Sequence, residues 1–264
     1  MPFTFAHPAA ILPLRGVRYL RTVPLILGAM IPDFPYYVPV RFSHFGPESH
    51  SFTGSYTTDL LLAYVALVGL FVLRQPLTAL LSARARWLCL GALAPFEHRP
   101  VEWLFAPLAI LLGVWTHLAW DSFTHPNGWI VHHVAALSAP VTIGPYSGQL
   151  CHVLQYVSSV FGLTVMAVWY WRLPGPPPAA AVVDAPRSAA GPVLLLIAAA
   201  AILIGSVQAT EYFLGNGIVR SGTVYRIVTI LLTRSLAWFG LLYLIAGTIV
   251  TLEHAHERVS QRGV

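Results

Sequence analysis

The sequence predicts an all-α fold: a polytopic helical membrane protein with about five transmembrane helices plus short interfacial helices. Three observations lead there. Hydrophobic residues make up 56% of the 264 and charged residues only 9%, against about 25% charged in an average soluble domain. Mean hydropathy is +0.68. The apolar residues also gather into runs of about 20, the length a helix needs to cross a bilayer.

Taken in order, the first run is Leu60–Leu73, which reaches spanning length when Tyr56–Asp59 join it. Val101–Trp120, Leu150–Trp171, Pro192–Ala209 and Val224–Leu252 are the other four. Val23–Met30 and Trp87–Phe96 are too short to cross alone and read as buried or interfacial helices. Pro32–Pro47 mixes prolines and Gly46 with aromatics and reads as a loop. Leu173–Ala190, which opens with Pro174–Gly175–Pro176–Pro177–Pro178, reads as a flexible linker. The expected organisation is a membrane domain over 1–172, a Pro/Ala-rich linker over 173–190 and a two-span helical hairpin over 191–264.

All fifteen basic residues are arginine. They are scattered, with no basic stripe interleaved with aromatics, so nucleic acid is not an expected partner. Cys89 and Cys151 form no CxxC and read as small apolar residues. The N-terminus lacks the basic region of a signal peptide, so His7 is expected in the mature protein. Five spans place Arg74, Arg84, Arg86, Arg99, Arg172, Arg187, Arg258 and Arg262 on one side. Arg15, Arg18, Arg21, Arg41, Arg220 and Arg226 fall on the other. Arginine excess marks the cytoplasmic side, so the first set is expected there, in a cell inner (plasma) membrane.

The chemistry concentrates in histidines and aspartates. His117 and Asp121 are four residues apart at the end of a span, hence on one helix face. An imidazole and a carboxylate at a membrane rim are costly unless they bind something. Residues 1–58 precede the first span, and two antiparallel spans return the chain to the same membrane face. That brings His7, Asp33, His44 and His50 toward the pair. Converging His and Asp ligands suit a divalent metal, above all zinc. Each residue alone has a plainer role: a surface His7, an Asp33 that caps its turn, a His50 in a polar turn, an interhelical His117, an Asp121 that caps the next loop.

His125 precedes Pro126, which disfavours helix; it is expected to turn away from the His117–Asp121 face and to act on substrate or support the ligands. His152, Gln155, Tyr156 and Ser159 share helical spacing and form a polar stripe with the same two possible roles. Arg234, inside the last span, wants a carboxylate or an anionic ligand. Glu211 is the expected partner, a lipid phosphate the alternative.

Four segments carry a resemblance: Met1–Ala10, then Gly28–Ala29–Met30–Ile31–Pro32–Asp33–Phe34–Pro35–Tyr36, then Ser49–His50–Ser51, and Thr116–His117 through Asp121 to His125. In this order they resemble a bacterial multi-pass membrane family of unknown function related to inner-membrane metal-dependent hydrolases, and more distantly zinc-dependent phospholipase C. The resemblance covers roughly residues 1–160. It departs from phospholipase C in lacking an N-terminal Trp ligand.

The combined expectation is a membrane-bound, metal-dependent hydrolase. His7, Asp33, His50, His117 and Asp121 would hold a divalent ion, above all zinc, and Asp33 or Asp121 would serve as catalytic general base. Membrane lipid would be its partner, and a lipid-like or envelope phosphoester its substrate. The alternatives are a non-enzymatic membrane protein with a structural or regulatory metal site, and a small-solute transporter. The clustering of polar residues at one rim, without a repeat, weighs against the last.

Overall fold

The computed structural model describes residues 4–37, 48–144, 146–177, 190–216 and 223–262. His44, most of the expected Pro32–Pro47 loop and most of the 173–190 linker lie outside them. The protein is helical, and among the described residues five helices are long and apolar enough to cross a membrane, at Phe52–Val72, Val101–His133, Leu150–Arg172, Ala190–Gly215 and Ile227–Glu257. It is a multi-pass membrane protein. A short antiparallel hairpin, β1 (Pro140–Ile143) with β2 (Tyr146–Gln149), lies in the long segment after the second span.

In chain order the helices are α1 (Thr22–Met30), α2 (Phe52–Val72, with a π-helical turn at Ser55–Asp59), α3 (Arg74–Thr78) and α4 (Ala83–His98). There follow α5 (Val101–Thr124), α6 (Trp129–His133), α7 (Leu150–Arg172), α8 (Ala190–Asn216) and α9 (Thr223–Arg262). Of the described residues, 4–35, 48–68 and 93–174 form one compact unit. The rest form a second, built mainly from α8 on α9, with α3 against α9. Residues 69–92 thus group with the C-terminal helices.

The first unit is organised around α5. Thr4–Leu14, a 3₁₀ segment with two prolines, lies against α7 and α1, and α1 lies along α5. Two glycines allow that approach. A Cβ on Gly28 would collide with the Ile110 carbonyl, and one on Gly113 with the Leu25 carbonyl and the Ala29 nitrogen. Ile11, Leu25, Ala29 and Ala109 make one buried cluster, and Ile31, Ala63, Ile110 and Val114 a second.

The turn between Thr4–Leu14 and α1 uses Gly16 and Tyr19, both in the left-handed region at φ 91° and 71°. It lies at the N-terminal end of α5. There Arg21 Nε donates to Glu102 Oε2 at 2.8 Å, and Arg99 approaches Glu102 Oε1 at 3.3 Å. Arg15 stacks over Trp169, near the C-terminal end of α7. This corrects the expected charge distribution. Arg15, Arg18 and Arg21 are not on the His-rich side but beside Arg99 or Arg172. The N-terminal segment runs along α5 as a hairpin, down from His7 and back up to Asp33, instead of crossing the membrane face. The sequence reading missed this because Thr4–Leu14 is too short and too proline-rich to register as a membrane-embedded element.

Gly28→Ala is expected to destabilise the purified protein by about 1–3 kcal/mol, because backbone has to move. Gly69→Ala, with open space around the new methyl group, gains up to about 1 kcal/mol of helix propensity. Thermal unfolding in detergent measures both.

Candidate metal centre

Five of the expected residues converge. His7 comes from Thr4–Leu14, Asp33 from the 3₁₀ turn after α1, His50 from the turn before α2, and His117 and Asp121 from α5. His7, Asp33 and His117 are almost wholly buried. The rings of His7 and His117 stack with centroids 3.8 Å apart.

Local chemistry explains how each arrives. Ser51 accepts from the Gly54 N–H at 2.8 Å and caps the start of α2. Ser49 Oγ donates to the Pro32 carbonyl at 3.0 Å, tying the Ser49–His50–Ser51 turn to the Pro32–Asp33 segment. Thr4 Oγ1 donates to Asp33 Oδ2 at 2.6 Å. Asp33 therefore does not cap its own turn; it is held by a residue 29 positions away.

The separations match one ligand sphere. His50 Nε2 lies 3.3 Å from Asp33 Oδ1 and 3.8 Å from Asp121 Oδ2. His117 Nε2 lies 3.3 Å from Asp121 Oδ2 and 4.0 Å from Asp33 Oδ1, and His7 Nε2 lies 3.6 Å from Asp121 Oδ1. Ligands 2.0–2.2 Å from a tetrahedral ion sit about 3.4 Å from one another. Two overlapping triads, His7/Asp33/His117 and His50/His117/Asp121, each present ligand atoms within 4.8 Å of one another.

The tautomers follow from the hydrogen bonds. His117 Nδ1 lies 2.8 Å from the Ala29 carbonyl. A carbonyl only accepts, so Nδ1 carries the proton and neutral His117 turns a lone pair on Nε2 toward Asp33 and Asp121. His50 repeats the arrangement. Ser49 has spent its proton on Pro32, so at 3.2 Å it accepts from His50 Nδ1, and His50 Nε2 faces the same carboxylates. Both nitrogens of His7, Nε2 of His117 and Oδ1 of Asp121 are buried without any hydrogen bond. Lone pairs facing carboxylate oxygens repel unless a cation lies between them, and imidazoles anchored at Nδ1 are the usual form of a metal-ligating histidine. The donor set fits a divalent ion such as zinc.

Other expected residues sit at the edge or elsewhere. His125 is not turned away. Its backbone N–H still bonds the Asp121 carbonyl at 3.0 Å, which keeps the ring 3.4 Å from Asp121 Oδ1. Gln155, on α7, reaches His125 at 3.4 Å. Tyr156 is exposed, and His152 makes no hydrogen bond or ion pair with the cluster. Arg234 is half-buried, belongs to the second unit and forms no ion pair with Glu211.

One residue went unnoticed in the sequence. Asp59, in the π-helical turn of α2, is fully buried, and neither carboxylate oxygen accepts a hydrogen bond. His50 and His117 are the histidines that act on it electrostatically. The signal was present, since an acidic residue at the start of an apolar span is expensive.

Burial, reinforced by His117, holds the His7 imidazole down at about 3 against an ordinary 6.5. Burial pushes the Asp33 carboxyl up, but His50 and His117 in their protonated forms, with the Thr4 hydroxyl, outweigh it and hold it below the usual range. The unfolded chain takes up a proton at His7 near pH 6.5, which the folded, metal-free protein refuses until about 3. Stability is therefore complete above pH 6.5 and declines as pH drops from there toward 3. Thermal unfolding in chelator is expected to show that slope, shallower in His7→Phe; an identical slope in both proteins contradicts the assignment.

Residues 1–252 match the family described as "Domain of unknown function (DUF4184)". No curated protein and no solved structure matches the chain, so the likeness to metal-dependent hydrolases and phospholipase C gains no support from these comparisons. With the match covering nearly the whole length, the chain belongs to the DUF4184 family, a domain of unknown function.

Proposed function

We propose that the protein is a membrane-bound, metal-dependent hydrolase acting on lipid-like phosphoesters, with His7, Asp33, His50, His117 and Asp121 holding a divalent ion, zinc by donor type. One observation carries this reading. His117 Nδ1 is committed to the Ala29 carbonyl, so its unpaired Nε2 faces two aspartates inside a buried cluster.

When bound, the ion polarises a phosphoryl oxygen and lowers the pKa of water toward about 7. The residues divide the remaining work. Asp33 is anchored through Oδ2 by Thr4 and serves as a fixed ligand. Asp121 keeps Oδ1 free of hydrogen bonds, beside His125, and is the stronger choice for general base. His50 and His125 are the partly exposed members, which puts the substrate's approach on their side.

The lipid-like substrate is inferred from an adjoining groove. A cavity of about 670 Å³ between α5 and α7 is lined by Trp120, Phe123, Thr124, Leu154, Val157 and Phe161. Trp120 also meets His7 edge-on at 5.6 Å, so an acyl chain in the groove brings its head group to the cluster. The arginines of the first unit gather at the opposite end of α5. By the positive-inside rule that end is cytoplasmic, in the cell's plasma membrane, and the site faces outward.

The near-complete burial of His7, Asp33 and His117 favours a second reading, a structural ion that fastens the N-terminal hairpin to α5. Purified protein separates the two. Wild type is expected to retain zinc after dialysis, and His117→Ala and Asp121→Ala to lose it; equal metal in all three contradicts both readings. Hydrolysis of an acylated chromogenic phosphodiester is expected to fall at least about 100-fold in Asp121→Ala. Retained zinc without such hydrolysis leaves the structural ion. Leu154→Arg is expected to raise KM for the acylated substrate and not for its short-chain analogue.

A further inference from the structure

We propose that an anionic phospholipid binds the first unit at the arginine end of α7, its phosphate held by Arg15, Arg172 and Trp169 and an acyl chain lying in the groove beside them. The site is separate from the metal cluster and does not depend on it. Gln155, which reaches His125, and Arg172 are about 26 Å apart along α7. The groove has a volume of about 590 Å³ and lies between α7 and the end of the Thr4–Leu14 segment. Phe161, Val165 and Val168 line its apolar part; Arg15, Trp169 and Arg172 line its polar end.

Length fits one leaflet. Residues 161, 165, 168, 169 and 172 recur at helical spacing and share one face of α7. From Phe161 to Arg172 is about 16 Å of helix, the depth of half a hydrocarbon core about 30 Å thick. Gly162 lets the N-terminal segment close onto α7 at the inner end of the groove, where a Cβ would collide with Ala6. The groove is thus bounded by fixed backbone contact.

Charge names the occupant. At this end of the unit Glu102 takes Arg21 and Arg99, but among the described residues no carboxylate pairs with Arg15 or Arg172. The Arg15 guanidinium stacks over Trp169, 5.5 Å from the ring centroid. Stacking uses the face of the guanidinium and leaves its in-plane N–H donors to a ligand. Trp169 Nε1 is buried without a hydrogen bond. An indole N–H only donates, so what it lacks is an acceptor, and leaving it unmet is costly. Two cations and a buried donor without an acceptor, beside an apolar groove one leaflet deep, match the charged oxygens of a phosphate carrying an acyl chain. A choline head group brings its own cation to the two arginines; a glycerol head group does not, which selects an anionic lipid.

Delipidated full-length protein in detergent, titrated with phosphatidylglycerol, phosphatidylcholine or glycerol phosphate and followed by native mass spectrometry, tests this. Phosphatidylglycerol is expected to bind about 10-fold or more tighter than phosphatidylcholine, with the preference lost in Arg15→Gln/Arg172→Gln and kept in Arg18→Gln. Equal affinity for the two lipids, or a preference that survives the double variant, overturns the proposal. Glycerol phosphate binding as tightly as phosphatidylglycerol overturns the lipid as occupant. Wild type alone provides a second test, whether or not the double variant folds. Phosphatidylglycerol with a photoreactive diazirine in its acyl chain is expected to crosslink to α7 between Phe161 and Trp169, and crosslinks confined to other helices overturn the proposal.

Discussion

The hydrogen bond from His117 Nδ1 to the Ala29 carbonyl is the contact on which the rest of the first unit depends. It forms only because α1 approaches α5 more closely than side chains ordinarily permit. Gly28 and Gly113 remove the two Cβ atoms that would hold the helices apart. That approach seats Leu25 and Ala29 with Ala109, and Ile31 with Ile110, and places a backbone acceptor deep beside an imidazole. The same bond decides what His117 does, because it fixes the proton on Nδ1 and turns Nε2 toward Asp33 and Asp121. A small-residue contact between helices, bland as stability, thus becomes a device for setting a tautomer.

The other end of α5 is secured by a different force. Glu102 is buried and held by Arg21, with Arg99 close by. Removing Arg21 leaves the buried Glu102 carboxylate with only the more exposed Arg99 beside it. About 22 Å of helix separates Glu102 from His117. The N-terminal hairpin is therefore pinned twice along one helix, by an ion pair at the arginine end and by a hydrogen bond at the histidine end. Pinning at both ends fixes the depth of His7 and Asp33 and makes their convergence with α5 reproducible. The cluster is then assembled from four chain segments, three of them short and the fourth α5.

Much of this was legible in the sequence. The spans followed from apolar length, and His7, Asp33, His50, His117 and Asp121 followed from residue type and the fact that antiparallel spans return to one face. What did not follow was depth. Thr4–Leu14 carries Pro8 and Pro13 and is too short to span, so it read as surface chain, and Arg15, Arg18 and Arg21 were carried to the wrong side with it. His125 was expected to turn away because of Pro126, yet one retained backbone hydrogen bond keeps it in place. Asp59 was absorbed into an apolar run as a boundary residue. An acidic residue at the head of an apolar run was a signal of cost, but its full burial and its lack of hydrogen bonds emerge only in the fold. Arg234 and Glu211 had matching charges and suitable spacing, and still do not meet.

X-ray absorption at the zinc edge on the purified, zinc-loaded protein tests the central claim most directly. The account predicts a first shell of nitrogen and oxygen at about 2.0–2.2 Å, with outer-shell scattering from at least two imidazoles. A shell containing sulfur at about 2.3 Å, or oxygen alone without imidazole scattering, would place the ion somewhere other than this cluster and contradict it.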